Sequence, residues 1–132
     1  MKTILKTVLI LILVSTLSVS AFASTIVLQW DYLSKIVSGL NITELGIAQS
    51  SGSVTLQKGN NVSVEMSLQQ LKSNGWVTIK TWTGSGKKSC IINGSYAVYS
   101  GYEYRTEVIG IVYDDDGNEI ERSKIYSPIK KY

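Results

Sequence analysis

Val62-Ser63-Val64-Glu65-Met66-Ser67-Leu68-Gln69 is the stretch of sequence that decides the fold. Apolar and polar residues alternate along it, and a period of two places one set in the core and the other in solvent. The turn-forming residues 59–61 precede it, and Asn74-Gly75 follows it and supplies the positive φ angles of a tight hairpin. The stretch therefore predicts a half-buried strand that returns through a hairpin.

Further strands of the same kind are predicted on both sides, separated by Gly-, Asn- and Asp-rich turns. They span residues 40–42, 46–56, 76–82, 90–98, 102–113 and 119–127, with a loop predicted at 84–88. About seven strands with a turn roughly every 8 to 12 residues are typical of an antiparallel β-sandwich. We predict such a domain over residues 40–132, with a small closed barrel as the alternative.

Residues 24–39 form a lead-in segment whose secondary structure the sequence pattern does not decide. Trp30, Leu33, Ile36, Val37 and Leu40 are spaced as on a short amphipathic helix. An extended lead-in is equally compatible with the same residues.

The hairpin near the C-terminus resembles a known family. Gly101-Tyr102-Glu103-Tyr104-Arg105-Thr106-Glu107-Val108, followed by a turn and a return strand, is similar to the last hairpin of fibronectin type III domains. The resemblance implies an immunoglobulin/fibronectin-III-like sandwich in which Tyr104 is the tyrosine-corner residue and its hydroxyl bonds nearby backbone.

A wider likeness covers most of residues 40–127. The chain resembles a family of small secreted Firmicute proteins of unknown function, through the segments 46–48, 68–69, 76–82 and 101–105. This resemblance implies a Gram-positive source and strengthens the fold prediction. Because its motifs are structural, it implies no activity.

The N-terminus predicts export. Lys2 and Lys6 precede an apolar run from Val8, and the run ends in Ala21-Phe22-Ala23, as in a secretory signal peptide cleaved after about Ala23. The run is interrupted by serine and threonine and is shorter than the roughly 20 apolar residues that span a bilayer. We expect residues 1–23 to be removed and the mature protein to be extracellular, without a membrane anchor.

Composition excludes several classes of function. Cleavage would remove two of the 13 basic residues and leave 11 against 10 acidic ones. That balance leaves no basic stripe for nucleic acid. The chain has no histidine and one cysteine, Cys90, which excludes His-based triads, Cys–His dyads and the usual zinc sites. We therefore predict that the protein is not an enzyme and has no cofactor.

The acidic residues are considered as a glycosidase pair and as a calcium site. Glu103 and Glu107 are four strand residues, or about 13 Å, apart, which is too far for a glycosidase pair. Asp114, Asp115 and Asp116 with Gly117 form the only acidic cluster, but the spacing of a calcium loop fails around it. A β-turn that uses Gly117 for its backbone conformation is the favoured interpretation, and weak calcium binding stays open.

Candidate binding residues are the apolar side chains predicted to point outward. If Val77 and Ile79 face the core, then Trp76 and Trp82 face solvent, unless that face is reversed or the lead-in covers one of them. Ile109, Ile111 and Tyr113 also fall on an outward face. Either Gly110 marks a bulge or the sandwich carries an apolar patch. Packing of this patch against residues 24–38 is the interpretation we favour.

The sequence thus favours a non-catalytic secreted module that binds a cell-envelope glycan or protein. The alternative is a secreted bacteriocin-like effector or inhibitor that acts on competing cells. The mature chain has almost no net charge and a weak helix candidate, which favours the binding module. Neither the ligand nor the oligomeric state follows from the sequence.

Overall fold

The computed structural model describes residues 29–132, so the predicted signal peptide and residues 24–28 lie outside the described residues. Two antiparallel sheets pack face to face. One has the order β1-β2-β5, and the other has the order β4-β3-β6-β7, with β8 also paired to β6. The strands are β1 (Leu33–Ile42), β2 (Ile47–Leu56), β3 (Asn61–Lys72), β4 (Gly75–Lys87), β5 (Ser89–Ala97), β6 (Glu103–Tyr113), β7 (Glu119–Tyr126) and the two-residue β8 (Lys130–Lys131). The predicted antiparallel sandwich of about seven strands is confirmed.

The core lies between the sheets and is built from the predicted alternation. Val64, Met66 and Leu68 of the central strand β3 are fully buried, and Val62 is nearly so. They pack against the inward residues of β2, β6 and β1. With no intramolecular disulfide possible from the one cysteine, burial of this apolar surface is the main source of stability. No helix of residues 29–132 is long and apolar enough to cross a membrane.

The helical alternative for the lead-in is wrong where the structure describes it. Residues from Leu33 onward form β1, which pairs with β2, so the sandwich begins before residue 40. Ile36, Ser38 and Leu40 alternate inward, and the Ser38 hydroxyl donates to the carbonyl oxygen of Thr106 at 2.8 Å. The inward position of Ser38 is polar, and the strand register shifts near Leu33. Together these two features gave the apolar residues a spacing that resembles that of a helix.

The loop predicted at residues 84–88 is also wrong. β4 continues to Lys87, and Gly84 and Gly86 pair with Val64 and Val62. These glycines allow a close approach of β5: a Cβ on Gly84 would lie 2.5 Å from Cγ2 of Ile92. Only Lys88, with φ of 64°, makes the turn into β5.

Tyr104 has the environment that the resemblance implies. Its side chain is fully buried, and its hydroxyl donates to the carbonyl oxygen of Tyr99 at 2.6 Å. Burial raises the pKa of this phenol, and the hydrogen bond to Tyr99 opposes the increase. Gly101 lies between the two tyrosines with φ of 88°, a conformation that favours glycine.

Candidate functional site

A β-bulge in β4 separates the two candidate tryptophans. Leu68 pairs with Lys80, but the next residue, Gln69, pairs with Thr78, so Ile79 is an extra residue in β4. An extra residue reverses the alternation of inward and outward side chains beyond it. Trp76 and Trp82, six residues apart, therefore lie on opposite faces of the same sheet.

Trp82 faces the core, so its prediction as an outward ligand-binding residue is wrong. It pairs with Met66, which is fully buried, and packs against both apolar clusters of the core. On the opposite sheet, Gly94 lies directly against the indole, and a Cβ there would overlap the ring. Trp82 therefore closes the edge of the sandwich between β4 and β5.

Trp76 faces outward and contacts Arg105. The guanidinium carbon lies 4.3 Å from the centre of the Trp76 ring and 3.9 Å from the centre of the Tyr126 ring. These distances are well within the range of cation–π contacts. We call Trp76, Arg105 and Tyr126 the outer-face stack, since β4, β6 and β7 present them together on the solvent side of the larger sheet.

Arg105 is held in this stack, and some of its hydrogen-bond donors have no partner among the described residues. Its Nε donates to Oε1 of Gln69, its cross-strand neighbour on β3, at 2.7 Å. Among residues 29–132 the guanidinium forms no salt bridge, although Glu103 and Glu107 flank it on the same face of β6. Glu107 instead approaches Lys124, with Oε2 and Nζ 3.8 Å apart. The terminal N–H groups of Arg105 are thus available to an acceptor from outside the described residues.

Ile109, Ile111 and Tyr113 lie on this outer face too, but they form no open apolar patch. The pairing of β6 with β3 is continuous through Gly110, so the bulge considered there does not exist. A Cβ on Gly110 would contact Val54 and Ile36, which places this glycine on the core side. Ile111 is only 1% exposed and cannot anchor a ligand, and Ile109 and Tyr113 are half-buried.

The lead-in residues that the structure describes do not cover these side chains. Trp30 donates from Nε1 to Oγ of Ser123 at 3.2 Å. The backbone N–H groups of residues 31–33 donate to the carboxylate of Glu121 at 2.7–3.1 Å. Glu121 and Ser123 alternate with the outward residues of β7, so this contact is on the other face of the sheet. The remaining residues of the favoured interpretation, 24–28, lie outside the described part.

The acidic cluster forms the β6–β7 turn. Oδ1 of Asp114 accepts hydrogen bonds from the backbone N–H groups of Asn118 at 2.8 Å and Asp116 at 3.0 Å. These bonds, that from Asn118 first, hold the pKa of Asp114 below its usual value. Gly117 has φ of 86° within this turn. Within residues 29–132, no three His, Cys, Asp or Glu side chains are grouped so that they could hold a metal ion.

Three residues of the site were missed at the sequence level. Gln69, Arg105 and Tyr126 are polar or aromatic residues at outward strand positions, which is where ordinary solvated side chains also lie. These residues lie together because of the cross-strand register, in which Gln69 pairs with Arg105 and Glu107 pairs with Tyr126. The register was not accessible from the pattern of a single strand.

Comparisons with known proteins leave the family undetermined. No family model matches the chain, and no curated protein matches it. Among solved structures, the solution structure of CsgH from R. palustris is similar, with 10% sequence identity and a TM-score of 0.38. The similarity covers 70% of this chain and 89% of that chain. At this level it carries no argument about function.

Proposed function

We propose that this chain is an exported, non-catalytic β-sandwich module that binds another extracellular protein through the outer-face stack. The observation that carries the proposal is the held guanidinium of Arg105 between Trp76 and Tyr126. Export rests on the signal-peptide features of residues 1–23. Trp, Tyr and Arg are the residues that most often dominate binding energy at protein interfaces.

The geometry favours a protein over a sugar at this surface. The outer face of a sheet is broad, and each ring of the stack already has one face against the guanidinium. A small ligand such as one sugar ring binds best in a concave site that covers most of its surface. A protein can instead cover the whole stack and remove it from water, which strengthens its polar contacts.

The partner should present a carboxylate to Arg105. The Nε of Arg105 is used by Gln69, so the two terminal nitrogens remain for a bidentate, charge-assisted pair. Stacking on two rings fixes the side chain before binding and lowers the conformational entropy lost on association. An acidic side chain at the centre of the partner's surface fits this arrangement.

Replacing Trp76 with alanine should weaken partner binding strongly while leaving the domain folded. The protein is immobilised and exposed to extracellular and envelope protein from its source, and the retained partner is identified and purified for titration. Loss of a central interface tryptophan costs about 2 kcal/mol or more, so we expect Kd to rise at least about 30-fold.

Thr81→Ala is the matched control, because Thr81 is an exposed residue of the same strand on the same outer face, beyond the bulge. It should bind the partner as the unaltered protein does. The proposal is wrong if no protein is retained, or if Trp76→Ala and Thr81→Ala bind equally well. A growth-inhibiting protein that retained no partner would favour the effector alternative.

A further inference from the structure

A tyrosine-lined cleft opens at one end of the sandwich, away from the outer-face stack. Its volume is about 290 Å³, and its lining consists of Gln70, Ile79, Tyr96, Ala97, Val98, Tyr99 and Tyr104. Tyr99 is 82% exposed and Tyr96 is 40% exposed, whereas Tyr104 and Gln70 are buried at its floor. The cleft combines open aromatic side chains with a buried polar group.

The polar floor of the cleft is incompletely hydrogen-bonded. Nε2 of Gln70 makes a long hydrogen bond of 3.5 Å to the Tyr104 hydroxyl, which itself donates to the Tyr99 carbonyl. Among the described residues none donates a hydrogen bond to Oε1 of Gln70, and no fully buried side-chain polar atom lacks a partner, so this oxygen is accessible from the cleft. An amide with a free acceptor and a weakly used donor can exchange hydrogen bonds with a ligand hydroxyl pair.

The lining also restricts the charge and size of the ligand. It contains no charged side chain, so nothing in the cleft compensates the desolvation of an ionised group. Lys80 lies beside the cleft, with its Nζ 6.0 Å from the centre of the Tyr96 ring, at the limit of a cation–π contact. The volume lies at the lower end of ligand sites, which suits one ring rather than an extended chain.

We propose that this cleft binds one ring of a neutral sugar, with Tyr96 and Tyr99 against its C–H faces and Gln70 bonded to its hydroxyl groups. A pyranose matches these features because its ring faces are apolar while its rim carries hydrogen-bonding hydroxyls. The site lies on the core side of the sheet that carries Arg105 on its outer side. This proposal does not depend on the proposed protein partner, and the two proposals are tested separately.

The test is saturation-transfer NMR and titration of the purified protein with neutral oligosaccharides, cellotriose and tri-N-acetylchitotriose, beside trigalacturonic acid. We expect a neutral trimer to bind in the millimolar range or tighter, with free energy of about −4 kcal/mol or better. Tyr99→Ala should weaken it at least tenfold without changing the unfolding temperature, because Tyr99 is almost fully exposed.

Tyr102→Ala and Trp76→Ala are the controls. Tyr102 is 42% exposed and does not line the cleft, and Trp76 is on the other side of the sheet, so both variants should bind the sugar normally. The proposal is overturned if neither neutral trimer binds, if only the acidic trimer binds, or if Tyr99→Ala binds as tightly as the controls. Loss of protein binding in Trp76→Ala with sugar binding retained would establish two separate sites.

Discussion

Replacing Trp82 with alanine should lower the free energy of unfolding by about 3 kcal/mol, the lower end of the usual cost of truncating a buried large aromatic side chain, because Trp82 is partly buried. The indole contacts both apolar clusters of the core and fills the space above Gly94. Its removal leaves a cavity between β4 and β5 that the rigid strands cannot close. Since small domains are stable by only about 5–15 kcal/mol, this loss is a large fraction of the total free energy of unfolding.

Equilibrium unfolding in urea, followed by circular dichroism, measures this effect. Trp76→Ala is the matched control, because it removes the same side chain from the outer face of the same strand. It should cost about 1 kcal/mol, the value of one cation–π contact with Arg105 near the surface, because Trp76 is half-buried and belongs to neither apolar cluster of the core. Equal losses in the two variants, or a greater loss in Trp76→Ala, would contradict the opposite orientation of the tryptophans.

The second large effect should come from adding one methyl group, in Gly94→Ala. The new Cβ would overlap the six- and five-membered rings of Trp82, which cannot move without disturbing both core clusters. Overpacking of this kind costs about 1–3 kcal/mol. Gly94 lies within β5 and its φ is not positive, so the cost comes from the contact rather than from backbone strain.

A double-mutant cycle with Trp82→Ala separates the contact from other effects of the substitution. In the Trp82→Ala background the methyl group has space, so Gly94→Ala should cost almost nothing or restore some stability. Asn93→Ala, an exposed neighbour in β5, should have little effect in either background. A Gly94→Ala cost that is the same in both backgrounds would show that the indole does not lie against Gly94.

The fold was largely predictable because the β3 alternation and the turn residues agree with the tertiary structure. Val62, Val64, Met66 and Leu68 are buried, as their period of two requires. The predictions were wrong where a residue type that usually indicates one structure was present for a different reason. Gly84 and Gly86 suggested a loop, although they permit close approach of β5, and the inward Ser38 concealed the alternation of β1.

The candidate site was less predictable because it depends on pairing between strands. One extra residue, Ile79, reverses which side chains of β4 point inward and which point outward. No feature of the sequence of residues 76–82 indicates this extra residue. Trp76 was therefore placed correctly and Trp82 incorrectly by the same argument. Arg105 and Tyr126 are 21 positions apart and meet only because β6 and β7 pair in one register.

Arg105 provides the most direct test of the proposed function, through the affinity of the purified partner for Arg105→Lys and Arg105→Gln. Lysine keeps the positive charge, but it lacks the planar group that stacks on two rings and forms bidentate pairs. We predict that both variants remain folded and that both raise Kd at least tenfold. If Arg105→Lys bound the partner as tightly as the unaltered protein, the held guanidinium would not be the anchor and the outer-face stack would not be the binding site.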